Sequence, residues 1–383
     1  MATILNGDYA RVVPLVSSFF TIKDFQRNAS EGTVQFLIAE SSNFSSKFQA
    51  LLGKLGKADM VAFAKRSKYV SRPMPTLTSV RLSVNDGVVI TVARLPKQKA
   101  KAKNWLPVPL LLFMATVAVV FFDGLFVRSQ SAFANEFIQD PFLLTAIYTL
   151  SLMGILGIHE LGHMLAARKY GIRASWPYFI PGVPGLIPTF GAMIQIKSNM
   201  TNRNVLFDVG IAGPLAGLIV TVIVSIYGSS ISVLIPADQA ERFEPIQFDL
   251  SLLMLTTMDL TGNVMQNTVL VMSPVLFAAW IGFLITFLNL LPAWQLDGGH
   301  LARSALGVRP HRVLTYASVA ILFVLRFYPM ALLVLFFSMR APESTPLDDV
   351  TPLSQGRKAL FVVALGLAVL CAPIPSEFVR FLL

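Results

Sequence analysis

Little of this chain is charged: Asp, Glu, Lys and Arg make up 14% of its 383 residues, against 54% hydrophobic, a balance that an ordinary soluble domain does not need. The expectation is a polytopic α-helical membrane protein. Cysteine is nearly absent. The single thiol, Cys371, lies in an apolar run without a partner, which excludes a disulfide framework and a cysteine-based metal site and leaves a buried, inert group. The first residues, Met1 to Arg11, lack a basic stretch followed by an apolar one, so no secretory leader is expected and the first domain should stay in the cytosol. Internal repeats and low-complexity tracts are also lacking, which excludes solenoids and arrays.

The charge that is present is unevenly spread. Residues 1 to 103 hold 16 Lys plus Arg against 6 Asp plus Glu, and the remainder 15 against 15, so the whole formal excess of +10 belongs to the N-terminal part. A basic block joined to a first membrane span reflects the positive-inside bias and an anionic leaflet, and no nucleic-acid partner is expected. Residues 1–95 read as a small α+β domain. Thr33 to Ile38 has strand composition, Ser79 to Val84 and Val88 to Ala93 flank an Asn85-Asp86-Gly87 turn, and Phe44, Phe48, Leu51, Leu52 and Leu55 recur at helical spacing. Residues 96–105, rich in lysine and ending at Trp105, form a juxtamembrane linker, and 106–383 the membrane domain.

Six spans are expected in that domain: Leu106 to Val127, Phe142 to Ala167, Leu206 to Tyr227, Val275 to Leu291, Val313 to Phe337 and Leu360 to Phe381. Lysines before the first and acids after it orient it from inside to outside. Residues 229 to 273 stay on the outer side, because Asp259, Asn263, Gln266 and Asn267 make a crossing there improbable. This count places Arg357 and Lys358 outside, against the charge rule. Residues 174 to 200 are apolar but studded with prolines. They cannot form a spanning helix and read as a membrane-dipping β-hairpin or loop, with a strand at Gly191 to Ile196. Its edge could pair with an extended substrate, or the hairpin could be purely structural.

The chemistry centres on Ile155 to Ala167. His159 and His163 lie one helical turn apart, so two imidazoles can converge on one ion with Glu160 beside them. A catalytic zinc wants a third protein ligand and an open position. Asp297, expected at the same membrane depth, is the best candidate, because a cation there resolves the cost of burying its charge. Glu160 would act as general base. His300 and His311 are expected beside the site rather than in it.

The two motifs, His159-Glu-x-x-His163 and Asn289-x-x-Pro292-x-x-x-Leu296-Asp297-Gly298, resemble those of the site-2 protease family of intramembrane zinc metalloproteases at every fixed position. The blocks Pro188 to Ala192 and Ala212 to Gly217 are similar to the archaeal and chloroplast branches, and the resemblance covers about residues 142 to 303. It implies one zinc ion on His159, His163 and Asp297, Glu160 as general base, and Asn289 assisting substrate or oxyanion binding. It further implies regulated intramembrane proteolysis: cleavage of a transmembrane protein substrate in the lipid bilayer, with a site-1-type protease acting upstream, and a catalytic site toward the cytoplasmic side. The region 229 to 273 is too short for the PDZ domain that many bacterial members carry. Two other readings are a multi-span prenyl-peptide protease, which the Leu-Asp-Gly block disfavours, and a metal transporter or non-catalytic chaperone. Polar groups gathered at one depth and an intact Glu160 disfavour the latter pair.

Overall fold

The computed structural model describes residues 6–28, 32–39, 41–67, 87–95, 108–128, 140–236, 248–263, 268–340 and 344–375, and its contacts divide the chain into two units. The first takes in the N-terminal residues together with 199–206 and 345–354, so it is not one continuous stretch. Its elements are α1 (Asn6–Ser17), β1 (Ile22–Asn28), β2 (Thr33–Ala39), α2 (Phe44–Gly56), β3 (Met60–Ser67) and β4 (Gly87–Arg94). The four strands form an antiparallel sheet in the order β1-β2-β4-β3. Alternation builds the core: Val34, Phe36 and Ile38 of β2 and Val88, Ile90 and Val92 of β4 point to one face, against Phe44, Phe48, Leu51 and Leu55 of α2.

The expected strand at 88–93 is found within β4. Both edges of β4 are taken along its length, by β2 and by β3, and β3 was not legible as a strand because Lys65, Arg66 and Ser67 dilute its apolar run. Residues 79–84 and the linker 96–105 lie outside the described residues. The free edge of β3 does not end the sheet. Ala64 donates its N–H to Leu347 O at 2.8 Å and accepts from Asp349 N at 3.1 Å, while Leu347 and Asp348 donate to Met200 O and Thr201 O at 2.8 and 2.9 Å. Two short segments, 347–349 and 200–202, thus extend it. Asp348, buried in the turn, accepts from the N–H groups of Val350 and Thr351 and from the Thr351 hydroxyl.

The second unit is helical. It comprises α3 (Val108–Phe122) running into a π-helical turn (Asp123–Arg128), α4 (Pro141–Lys169), the hairpin strands β5 (Tyr178–Val183) and β6 (Ile187–Met193), and α5 (Arg203–Ser230). Next come β7 (Val233–Pro236), β8 (Leu250–Ser251), α6 (Leu252–Leu260), β9 (Thr268–Val271), α7 (Pro274–Leu290) and α8 (Asp297–Leu306). The chain closes with α9 (Val308–Val324), α10 (Tyr328–Arg340), α11 (Gln355–Cys371) and β10 (Pro373–Ile374). Among the described residues, 108–128, 141–169 and 203–230 are long and apolar enough to cross a membrane. Caps mark the starts: Asp140 accepts from Leu143 N, and Ser273 from Leu276 N.

The expected fifth span is not one helix. The chain turns at Leu325 and Arg326, the latter at φ 64°, because Pro329 in the first turn of α10 cannot donate to a continuous ladder. The pair α9–α10 is a helical hairpin and returns the chain to the end it left. Arg357 at the start of α11 then meets Asp208 near the start of α5 in a bidentate pair, both contacts 2.6 Å, and Tyr170 at the end of α4 donates to the same carboxylate. The far end of α11 leads into β10, which pairs with β8. Arg357 and Lys358 therefore lie at the end of the bundle that holds Arg168 and Lys169, and the charge conflict in the six-span expectation disappears. The hairpin strand falls at 187–193 rather than 191–196, paired with β5.

Candidate metal centre

Alpha-helical geometry brings His159 and His163 onto one face of α4, where both are buried. Their Nε2 atoms are 3.2 Å apart. The third group arrives from α8. Two glycines make this possible: a Cβ on Gly298 would sit 2.1 Å from Leu290 O, and one on Gly299 2.4 Å from Ala293 O, so only glycine fits the tight turn from α7 into α8. Trp294 in that turn holds φ 43°, stacked on Phe337 with 5.1 Å between ring centroids. Asp297 Oδ2 then lies 3.2 Å from His159 Nε2 and 3.3 Å from His163 Nε2.

These three separations test the fit to a metal. Four-coordinate zinc with bonds of about 2.0–2.1 Å has ligand atoms about 3.3 Å apart along a tetrahedral edge. Two imidazoles and a carboxylate meet that requirement, and among the described residues they form a group able to hold an ion. The opposite nitrogen of His163, Nδ1, lies 2.7 Å from Val209 O on α5. A carbonyl accepts only from N–H, so Nδ1 carries the proton and Nε2 presents its lone pair to the site.

Glu160 is buried beside the histidines, near the backbone of Ile194 just past β6. The Asn289 side-chain amide nitrogen lies 3.4 Å from His159 Nε2. The structure thus gathers all five sequence-predicted residues. His300 and His311 stand apart from the ligand group: His311 Nε2 lies 3.0 Å from Trp294 O, and His300 packs under Gly210.

Two residues read from the sequence as generic packing prove more specific. A Cβ on Gly213 would fall 2.1 Å from His163 Nε2, and one on Gly217 3.1 Å from His159 Nδ1, so α5 presses bare backbone against both ligands. Opposite them, Gly162 of α4 leaves room for Ala212 O, which a Cβ would approach to 2.5 Å. The spacing of Gly210, Gly213 and Gly217 was the visible signal.

The pattern of peptidase family M50 matches residues 147–328. The chain is 33% identical over 242 residues to "Probable zinc metalloprotease EGY1, chloroplastic" of Arabidopsis thaliana, covering 60% of this chain and 43% of that protein. It is 32% identical over 262 residues to the Arabidopsis EGY2 protein of the same description, covering 65% and 45%. To EGY3 of Oryza sativa subsp. indica it is 26% identical over 274 residues, covering 67% and 45%. It spans less than half the length of these curated relatives. No solved structure matches it at comparable significance. With the two imidazoles, the aspartate and the glutamate in place, the domain over residues 147–328 belongs to peptidase family M50.

Proposed function

We propose that this protein is a zinc-dependent intramembrane endopeptidase that hydrolyses a peptide bond within or near a transmembrane helix of another protein. The observation that carries this reading is the buried set His159, His163 and Asp297, mutually 3.2–3.3 Å apart, with Glu160 beside it. Zinc held by those three residues supplies Lewis acidity and lowers the pKa of water there to about 7. Glu160 accepts a proton from the attacking water and delivers it to the leaving amine nitrogen as the C–N bond breaks. In this reading the Asn289 amide donates to the carbonyl oxygen, where negative charge develops. A helical substrate hides its carbonyls in its own hydrogen bonds and must unwind locally. Among the described residues β6 pairs only with β5, and its other edge offers an unwound segment a strand to join.

In this reading α3, α4, α5, α7 and α11 cross the bilayer, and the α9–α10 hairpin enters and leaves by one face. The basic N-terminal domain, and the ends of α4 and α8 near the site, lie toward the cytoplasm. Substrate is first trimmed by another protease of site-1 type, since residues 229–273 are too few to form a PDZ domain that would select it. The test is bound zinc and cleavage of a single-span substrate in detergent. Wild type is expected to bind one zinc and to cleave; Glu160→Gln to keep zinc and lose at least about 100-fold in rate; His163→Ala to lose both. Cleavage by the Glu160→Gln variant at the wild-type rate overturns the mechanism.

A further inference from the structure

In the helical unit the mechanism leaves a buried carboxylate unused. Asp123, wholly inaccessible, opens the π-helical turn that ends α3. Its Oδ2 accepts from the Tyr148 hydroxyl at 2.8 Å and from Arg128 Nε at 3.2 Å, and its Oδ1 accepts from the Gly185 N–H at 2.7 Å. Gly185 is the tip of the β5–β6 hairpin, at φ 83°. Gly124 is bare where a Cβ would meet the Tyr148 ring at 2.7 Å, which lets α4 close on the turn. The Arg128 guanidinium lies over the Phe277 ring, 3.9 Å from its centroid.

The hairpin needs such an anchor. A two-stranded ribbon alone is marginal, and this one contains Pro181 and Pro188, which have no N–H to donate, and a register shift between Phe179 and Pro181. At its base the ladder continues through Ser175 N to Gln195 O at 2.9 Å and Lys197 N to Arg173 O at 2.8 Å, and there Ile194 lies near Glu160. The base of the ribbon lies near Glu160 at the metal centre, and its tip is bonded to Asp123 at the far end of α3.

We propose that Asp123 is a positioning residue: it latches the hairpin tip and so fixes the β6 edge alongside the metal centre for substrate binding. The substrate clause rests on the proposed function; the latch does not. Three donors converge on two oxygens. An asparagine offers one acceptor oxygen, the Arg128 cation and Tyr148 hydroxyl claim it, and the amide NH2 then faces the Gly185 N–H.

The experiment uses the full chain with a spin label on Leu186→Cys, a tip position 70% exposed; the native Cys371 is buried. In Asp123→Asn the tip signal is expected to become mobile and KM for a single-span substrate to rise about tenfold, with kcat within about twofold and zinc content unchanged. Adding Arg128→Met, which frees the amide oxygen to turn back to Gly185, is expected to restore both. In wild type, hydrogen exchange at the Gly185 amide is expected to be slow, a readout that needs neither variant nor cleavage. A fast-exchanging Gly185 or an unchanged tip signal overturns the latch, and a mobile tip with unchanged KM overturns its part in positioning substrate. If the wild type binds no zinc and cuts nothing, the proposed function fails while the tip readouts still judge the latch.

Discussion

At the scale of single residues, the metal centre depends as much on what is missing as on its ligands. Gly213 faces His163 with no side chain, and an added methyl would occupy the space of the imidazole nitrogen. Gly213→Ala is therefore expected to lower zinc affinity by at least about tenfold while helicity is retained, because the ring must rotate off Val209 O to make room. Metal titration followed by circular dichroism checks this; unchanged affinity would mean that α5 can retreat. The ligands themselves were legible from two motifs and a membrane-depth argument, since residue type and spacing carry the chemistry. The glycines were visible only as a small-residue stripe. Which of them meets a ligand depends on the rotation of α5 about its axis, and that is set by packing with α4 and α7. The approach of the Ile194 backbone to Glu160 could not be read at all, because main-chain atoms have no letter of their own.

Among the elements, hydropathy located α3, α4, α5 and α7 to within a few residues, since long apolar runs with capped starts leave few alternatives. It failed where two short apolar helices stand back to back. Val308–Val324 and Tyr328–Arg340 read as one span unless Pro329 is given its full weight, and each covers only about 25 Å or less at 1.5 Å per residue. In the five-crossing arrangement proposed above, α11 runs in the direction opposite to that of the six-span expectation. A topology measurement decides it: cysteines replacing the exposed Lys169 and Lys358 are expected to react with an impermeant thiol reagent from one side of the membrane, and one replacing Ser230 from the other. Lys358→Cys reacting with Ser230→Cys would restore the six-span arrangement. The hairpin was legible as a non-helical segment from its prolines, but its register was not. The strand starts four residues and ends three residues earlier than its composition indicates, and its pairing carries a shift between Phe179 and Pro181, where the Thr189 hydroxyl donates to Ile180 O at 3.0 Å.

Taken whole, the chain devotes distant segments to one sheet in its first unit. Leu347 and Val350 join the core of Phe36, Phe48 and Ile90, and Arg203 donates to Asp349 at 2.9 Å through both its side-chain carboxylate and its backbone carbonyl. Asp348→Ala leaves two turn N–H groups and a hydroxyl without their acceptor, and is expected to destabilise this unit by about 2 kcal/mol without displacing zinc. Thermal unfolding read alongside metal content tests that, and zinc loss at ambient temperature would contradict it. No sequence signal marked 200–202 or 347–349 as strands, since each is too short for periodicity to register.

That shared sheet changes what removing the front of this protein would do. Ala64 is the hydrogen-bonding neighbour of Leu347 and Asp349, so a truncation that discards residues 1–95 would strip away more than a soluble appendage. It would uncover a raw backbone margin on the loop ahead of α11, ready to adhere to any other chain. A clipped form that lost activity through clumping would then be mistaken for one that had lost a regulator.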